Sequence, residues 1–240
     1  MSLASTLAVT STALAGVAAT CAWGSLSNES QLFGQSLVSP PSPTQFTLTF
    51  DDGPNPQATP ELLEILARHR VRATFFLIGD HAVREPALTR QIHAAGHTIG
   101  NHTMHHPWLP RHLNAFIREE LRAASQTIED ILGAPVALFR PPHGARRPFV
   151  FRAARELNLQ VVLWNMIVGD WKSRSADDLL KRIQSGVSLN QRRERGTNLV
   201  LHDGSQHSPN ADRRATVQAV AALLDHLQPE IRFVTPLQWD

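Results

Sequence analysis

Residues 45–54 read Gln-Phe-Thr-Leu-Thr-Phe-Asp-Asp-Gly-Pro. Two phenylalanines and a leucine alternate with threonines, a pattern typical of a β-strand with one buried face. The strand then ends on two adjacent carboxylates, Asp51 and Asp52, before Gly-Pro turns the chain. Two like charges side by side at the mouth of a buried strand are costly unless something neutralises one of them. A bound metal ion would do so, and the segment therefore predicts a metal site at the end of this strand.

Further candidate metal ligands lie in residues 101–107, Asn-His-Thr-Met-His-His-Pro. His102 and His106 are four residues apart, so one helical turn would aim both imidazoles at a single point. Asp52 with these two histidines, and Asp51 left free beside them, is a ligand set typical of hydrolases whose metal keeps an open position for water. Each feature alone is weak, because Asp-Asp before Gly is commonly a turn and 12 histidines make chance pairs common.

The composition is that of an ordinary globular protein. The chain has 240 residues, 42% of them apolar and 18% charged, which is enough for one α/β domain with a sizeable core. Its single cysteine, Cys21, excludes an internal disulfide framework and a Cys-rich zinc site. The formal net charge of +2 is too small to indicate a nucleic acid as partner.

The beginning of the chain differs from the rest. It carries one charged side chain, Glu29, and residues 7–23 are mildly apolar but short for a membrane-spanning helix. The basic start of a secretory signal is missing as well. We expect residues 1–43 to form an N-terminal arm, with a membrane anchor or atypical signal within residues 1–25 and a Pro-rich linker at its end. The alternative is a disordered or loosely packed arm, and in both cases the folded domain spans residues 44–240.

Strand-like and helix-like segments alternate along the remaining chain. The predicted strands are residues 45–51, 73–78, 97–100, 136–140, 160–165, 198–202 and 231–235. The predicted helices are residues 59–70, 82–95, 111–132, 147–157, 176–188 and 211–227. Regular alternation of this kind implies a parallel sheet with right-handed crossovers, either open or closed into a barrel.

The positions of the polar residues favour a barrel. Reactive side chains stand at or just beyond the C-terminal ends of five predicted strands, in the order Asp51-Asp52, His102, Arg140, Asp170 and His202-Asp203. A barrel brings all these ends to one mouth, whereas an open sheet would spread them along an edge. We therefore predict a single-domain α/β fold, a (β/α) barrel with about seven strands.

Five short motifs, taken together, resemble the polysaccharide deacetylases of carbohydrate esterase family 4, the NodB-homology domain. They are residues 49–54 and 102–107, quoted above, with Arg-Pro-Pro-His-Gly at 140–144, Gly-Asp-Trp at 169–171 and Leu-Val-Leu-His-Asp-Gly at 199–204. The motifs follow the family's order, and the resemblance covers roughly residues 45–236. It implies a distorted, NodB-like (β/α) barrel, a divalent metal that is commonly zinc, and hydrolysis of N-acetyl groups on amino sugars.

The resemblance and the chemistry of amide hydrolysis assign the same roles to the polar residues. The three metal-ligand candidates leave room for a water, and Asp51 is placed to take the proton of that water. Arg140 is expected to hold Asp51 ionised through a charge-assisted pair. His202 is expected to enter from the opposite wall and to protonate the leaving amine. Trp171, Val200 and Leu201 would form an apolar floor for the acetyl methyl group.

Two positions depart from the family pattern. His143 stands where members usually have a tyrosine, a residue that this chain lacks altogether. Its backbone N–H can still help to hold the oxyanion, so the change is expected to alter the shape of the substrate site. Ile167 stands where members often carry an acidic residue that is thought to tune the histidine acid. The pKa and orientation of His202 are therefore open, with Asp170 as the candidate that takes over this role.

The sequence thus favours a metal-dependent N-deacetylase that acts on an N-acetylated glycan, such as peptidoglycan or a chitin-like chain, with zinc as the expected metal. Two alternatives stay open: a NodB-type amidohydrolase of a small cyclic amide or ureide, and a carbohydrate-binding barrel without turnover. An extracytoplasmic or membrane-associated location in a bacterium is expected, and a cytoplasmic one is the alternative.

Overall fold

The first strand, β1, lies at the centre of a curled parallel sheet. The computed structural model describes residues 16–173, 175–226 and 230–239. Its strands are β1 (Gln45–Gly53), β2 (Thr74–Leu77), β3 (Thr98–Asn101), β4 (Leu138–Phe139), β5 (Gln160–Val161), β6 (Met166–Ile167), β7 (Thr197–His202) and β8 (Arg232–Phe233). Seven of them follow one another in the order β5-β4-β3-β2-β1-β7-β6, and β8 pairs with the start of β1.

Helices connect the strands, as expected of a parallel sheet. They are α1 (residues 16–26), α2 (Ala58–Arg68), α3 (Gly79–Arg84), α4 (Pro86–Ala94), α5 (Asn114–Leu132), α6 (Pro148–Glu156), α7 (Ala176–Arg192) and α8 (Arg214–His226). Single 3-10 turns lie at Leu109–Arg111, Pro142–Gly144, Asp170–Lys172 and Pro236–Gln238. The sheet and helices form the distorted (β/α) barrel that the sequence predicts.

The two faces of β1 separate the core from the barrel interior. The apolar set Phe46, Leu48 and Phe50 belongs to the large core cluster that the helices cover. On the opposite face, the Thr47 hydroxyl donates to the Val234 carbonyl at 2.8 Å, and the Thr49 hydroxyl donates to the Leu199 carbonyl at 2.9 Å. Because successive strand residues point to opposite faces, the strand that anchors the core also lines the interior with polar groups.

All seven predicted strands are present, and four of them, β2, β4, β5 and β8, are shorter than predicted. The eighth, β6, was not predicted, because two residues are too few to show an alternating pattern. The predicted helix 82–95 is two helices, α3 and α4, that meet at Pro86. This proline is the first residue of α4, where a missing backbone N–H is tolerated, whereas inside one continuous helix it would remove a hydrogen bond.

The end of the N-terminal arm lies against the barrel. The Leu37 N–H donates to the Val161 carbonyl at 2.8 Å, and the Leu163 N–H donates to the Leu37 carbonyl at 2.7 Å. The Gly196 N–H donates to the Pro40 carbonyl at 3.1 Å. The domain boundary at residue 44 stays a prediction, although the proline-rich segment before it is in contact with the fold.

The predicted anchor or signal in residues 1–25 falls mostly outside the described residues, which begin at residue 16. Within the described residues, none of the helices combines the length and the apolar character that crossing a membrane requires. The described helix α1 exposes apolar side chains, among them Val17 and Trp23.

The core face of β1 makes a testable contribution to stability. Phe50 is fully buried and stacks on Phe75 with ring centroids 5.0 Å apart. We expect Phe50→Ala to lower the free energy of unfolding by about 3–5 kcal/mol, because it leaves a cavity that the sheet cannot close. Phe116→Ala, at a side chain that is 41% exposed, is the control and should change it by about 1 kcal/mol or less. Equal losses in urea titrations of the two variants would contradict this account.

Candidate active site

The two carboxylates at the end of β1 face the same site, although they are neighbours in sequence. Asp52 has a left-handed backbone conformation with φ 69°, and the pairing of β1 with β2 shifts register between Asp51 and Gly53. Regular strand geometry would send the two side chains to opposite faces. Instead, the His102 Nε2 atom lies 3.9 Å from Asp51 Oδ2 and 3.4 Å from Asp52 Oδ1.

The strained turn at Asp52 is supported from two directions. The His81 ring lies with Nδ1 3.0 Å from the Asp52 carbonyl oxygen. Gly204 approaches the same carbonyl so closely that a Cβ atom there would lie 1.9 Å from the oxygen. A non-glycine residue with positive φ persists where its surroundings over-determine it. Sequence reasoning missed His81, since nothing marks it among 12 histidines.

Asp52, His102 and His106 form a buried cluster suited to a metal ion. One donor atom from each lies within 4.8 Å of the others. The two Nε2 atoms lie 3.4 and 3.2 Å from Asp52 Oδ1, yet this buried oxygen has no partner with hydrogen-bond geometry among the described residues. Burial acts to raise the pKa of Asp52, but the two histidines outweigh it and hold the pKa well below its ordinary value. Donors that converge on one point without bonding to each other fit a metal ion.

The backbone carbonyl of Arg140 orients one of these ligands. The Nδ1 atom of His102 lies 2.7 Å from the Arg140 carbonyl oxygen. This contact places the ring proton on Nδ1, so the Nε2 lone pair points toward Asp52.

The histidine pair is carried by a loop, and the prediction of a helical turn is wrong. Thr103 and His106 have φ of 67° and 58°, values that interrupt a right-handed helix. The Asn101 side chain accepts from the Thr103 N–H at 2.7 Å, and the Thr103 hydroxyl accepts from the His106 N–H at 3.0 Å. Local polar side chains therefore aim the imidazoles, with ring centroids of His102 and His106 4.9 Å apart.

Arg140 is fully buried and pairs with Asp51. Its Nη1 donates to Asp51 Oδ1 and to the Thr49 hydroxyl, each at 2.7 Å. Its Nη2 donates to the Leu163 carbonyl at 3.1 Å, and the guanidinium lies 4.1 Å from the centre of the Phe76 ring. Burial lowers the pKa of Arg140, while the Asp51 carboxylate acts in the opposite direction. The arrangement fits the expectation that Arg140 holds Asp51 in place.

His202 lies on β7, directly beside Asp51 in the register of the two strands. It is therefore on the neighbouring strand, with the metal-ligand histidines on the other side of β1, and not across the barrel as expected. Its Nδ1 lies 2.9 Å from Asp170 Oδ1, and the Asp170 carboxylate also accepts from the His202 N–H at 2.8 Å. Burial acts to lower the pKa of His202, but the Asp170 charge and hydrogen bond outweigh it and raise the pKa to about 9.

The Asp170 side chain is held in place by a hydrogen bond from α8. A fixed carboxylate therefore contacts His202 although residue 167 is an isoleucine. The Thr216 hydroxyl on α8 donates to Asp170 Oδ2 at 3.0 Å. Ile167 lies in β6 with 42% of its surface exposed. The carboxylate that contacts His202 is therefore Asp170 of the Asp-Trp pair, the candidate named for this role.

The predicted apolar floor is only partly assembled. Trp171 is 43% exposed at the mouth, and its ring meets the His202 ring edge-on with centroids 4.9 Å apart. Val200 packs with Leu163 and Trp164 on the interior side. Leu201 packs in the helix-covered core instead, because adjacent strand residues point to opposite faces. The assignment of Leu201 to the acetyl site is therefore wrong.

His143 lies in a loop beside the metal-ligand candidates. Its φ is 59°, and its ring lies 4.6 Å from the His106 ring and 5.0 Å from the Trp108 ring, centroid to centroid. Partial burial, together with the neighbouring histidines, lowers the pKa of His143 to about 4, so the ring is neutral at pH 7. Trp108 was not predicted, and its place directly after the His-Pro motif was the available signal.

Asp203 is a further buried carboxylate that received no predicted role. It is fully buried and accepts from the Thr59 hydroxyl on α2. Burial raises its pKa to about 7. This contact ties the end of β7 to the start of α2 behind the site.

The site thus combines three candidate metal-ligand side chains with a carboxylate that is paired with an arginine and a histidine whose pKa is raised. The Asp51–Arg140 pair keeps a carboxylate at the site, and the His202–Asp170 pair keeps an imidazole protonated at neutral pH. Hydrolysis of an amide needs a general base, a general acid and an activated water, and these residue types could supply them.

Comparison with known proteins identifies the family. The family described as polysaccharide deacetylase matches residues 39–162. The chain belongs to this family of hydrolases. A peptidoglycan-N-acetylglucosamine deacetylase of Bacillus cereus is 33% identical over 78% of this chain and 84% of the relative. A chitooligosaccharide deacetylase of Bradyrhizobium is 35% identical over 75% of this chain and 83% of the relative.

Solved structures agree with the polysaccharide deacetylase assignment. The crystal structure of the Bc1960 peptidoglycan N-acetylglucosamine deacetylase matches with a TM-score of 0.75 and 29% identity, over 83% of this chain and 89% of that one. The match confirms the predicted NodB-like barrel of carbohydrate esterase family 4.

The charge of Asp170 should control the protonation of His202. We expect Asp170→Asn to lower the pKa of His202 from about 9 to 6.5 or below, because burial then acts without the opposing charge. NMR titration of the imidazole in metal-free protein measures this, with the surface variant Asp225→Asn as the control. The raised pKa of His202 stabilises the fold below about pH 6.5, and this contribution is lost as the pH rises through about 9. Asp170→Asn should therefore reduce the decrease in the free energy of unfolding between these two pH values. An unchanged pKa would contradict the assignment of Asp170.

Proposed function

We propose that this protein is a divalent-metal-dependent N-deacetylase that removes acetyl groups from N-acetylglucosamine units of a bacterial cell-wall glycan or a chitin-like oligosaccharide. The observation that carries the proposal is the buried Asp52, His102 and His106 cluster, with Asp51 and His202 next to each other beside it. The names of the relatives, a peptidoglycan-N-acetylglucosamine deacetylase and a chitooligosaccharide deacetylase, support the substrate class.

The same three side chains would hold the metal. One carboxylate oxygen and two imidazole nitrogens favour zinc, as judged from donor type and number. A divalent ion in such a site supplies a water of lowered pKa and polarises the carbonyl of the substrate.

Asp51 acts as the general base. It takes a proton from the attacking water, and the Arg140 hydrogen bond keeps its carboxylate aimed at the site. Its Oδ1 accepts from Arg140, which leaves Oδ2, 3.9 Å from His102, to face the reacting water.

His202 acts as the general acid. The Asp170 carboxylate lies on Nδ1, so the proton on Nε2 is the one available to the leaving amine. An amine leaves far more readily when protonated, and a pKa of about 9 keeps the imidazole protonated at neutral pH. The Trp171 ring beside it would exclude water from the acetyl methyl group, with Val200 below, and the His143 N–H would help to hold the oxyanion.

An extracytoplasmic site of action follows from a cell-wall substrate. The exposed apolar side chains of α1, Val17 and Trp23 among them, are consistent with membrane association through residues 1–25. Fractionation of cells that express the full chain would test the location.

Acetate release from a panel of substrates tests the function. Metal-reconstituted protein is incubated with N-acetylglucosamine oligomers, peptidoglycan fragments and a cyclic ureide. Acetate from the glycans supports the proposal. Ring opening of the ureide without acetate from the glycans, or glycan binding without turnover, would replace it with one of the two alternatives.

The metal site predicts a clear stoichiometry. Protein purified without chelator should contain about one divalent ion per chain, and the His102→Ala/His106→Ala variant should contain almost none, because a single carboxylate remains. The exposed His93→Ala variant serves as the control and should match the wild type. Elemental analysis measures all three, and equal metal content in the double variant would remove the assignment.

Asp51 should be dispensable for metal but not for turnover. We expect Asp51→Asn to retain the ion and to lose about 10²- to 10⁴-fold in kcat, the usual contribution of a positioned proton carrier. The surface variant Asp80→Asn should keep both properties. Loss of the metal from Asp51→Asn would instead make Asp51 a ligand.

A further inference from the structure

Arg146 is a fully buried arginine that holds the N-terminal arm. Its guanidinium donates to the backbone carbonyls of Ser25 at 3.3 Å and Ser30 at 3.1 Å, and also to that of Ser27. Its own N–H donates to the Ser25 carbonyl at 3.1 Å. Burial lowers the pKa of Arg146 to about 10. These carbonyls lie at and just beyond the C-terminal end of α1, where unpaired carbonyls attract a cation.

Arg146 belongs to the loop that runs from Arg140 past His143. The same guanidinium donates to the Gly144 carbonyl at 2.9 Å. His143 and Gly144 are successive left-handed residues, with φ of 59° and 65°. The arm reaches this point, since a Cβ atom on Gly144 would lie 3.1 Å from Asn28 Oδ1. A left-handed histidine is strained and persists where its surroundings enforce it, and the arm contacts the residue that follows it.

The next part of the arm closes the seam of the barrel. No ladder joins β5 to β6 in the described residues, and the stretch after β5 pairs with Leu37 instead. The Asn198 side chain on β7 donates to the Val38 carbonyl at 3.1 Å and to the Leu163 carbonyl at 2.8 Å. The Leu163 carbonyl also accepts from Arg140, so the arm lies directly behind the residue that positions the base.

We propose that residues 25–42 are a strap that holds the loop 140–147 in its catalytic conformation, with Arg146 as the positioning residue that joins the two. This strap is part of the catalytic unit, whereas the proline-rich composition favoured a separable linker. The effect on turnover rests on the proposed deacetylase function, but the effect on the loop does not.

Arg146→Met in the full chain tests the strap, because it keeps the volume of the side chain and removes its donors. Hydrogen exchange should quicken in residues 25–30 and 140–147 but not in β1 or α5. Metal content should stay at the wild-type level, since the three candidate ligands lie at the end of β1 and in the segment after β3. With rates normalised to folded, metal-loaded protein, kcat should fall by about 10- to 100-fold with little change in KM, the scale for a misplaced catalytic group. Arg146→Lys should recover part of both effects.

The control is Arg152→Met, at an exposed arginine on α6, the helix that follows the loop. This variant should match the wild type in exchange, metal content and kcat. Quickened exchange in residues 25–30 with wild-type kcat would overturn the proposal. If Arg146→Met does not fold, Asn28→Gly makes the same comparison at the Gly144 contact, and an unchanged loop with unchanged kcat there would overturn it. If the wild-type protein releases no acetate while Arg146→Met still shows the exchange changes, the proposed function alone is refuted.

Discussion

The buried pair of Arg140 and Asp51 is the interaction on which the rest of the site depends. The planar guanidinium reaches the base at the end of β1, the Thr49 hydroxyl beneath it and the Leu163 carbonyl at the seam. The backbone carbonyl of the same residue orients His102. Removing one partner of a buried ion pair leaves an uncompensated charge, which is strongly destabilising. One arginine therefore links Asp51, His102 and the closure of the barrel.

The site contains several buried carboxylates, and burying them together would be energetically costly if they had no positively charged partners. Asp51 is compensated by Arg140, Asp170 by His202, and Asp52 by the two imidazoles that would share a metal with it. These partners differ in kind, and the difference matters for the chemistry that each pair can support. An arginine pairs with Asp51 as a cation, whereas the carboxylate beside His202 raises the pKa of that histidine.

The polysaccharide deacetylase fold brings these pairs together through strand order. β1 lies between β2 and β7, so residues that are about 150 positions apart, Asp51 and His202, are direct neighbours in the register. The close approach of Gly204 to the Asp52 carbonyl shows how tightly the two strand ends meet. At the seam, backbone groups after β5 pair with the N-terminal arm where another strand would otherwise pair.

The sequence by itself determined the alternation of strands and helices, the barrel, the family and the residues of the metal cluster. The alternation and the barrel follow from side-chain periodicity and from reactive residues at strand ends that must share one edge in a parallel sheet. The family follows from the resemblance of five short motifs. Only the tertiary structure decided that a loop carries the His102 and His106 pair, that His202 neighbours Asp51, and that Leu201 faces the core. Such features depend on left-handed backbone residues and on strand pairing over long separations, which no local pattern encodes. The same holds for Arg146, whose partners lie about 120 residues earlier in a segment without a recognisable pattern.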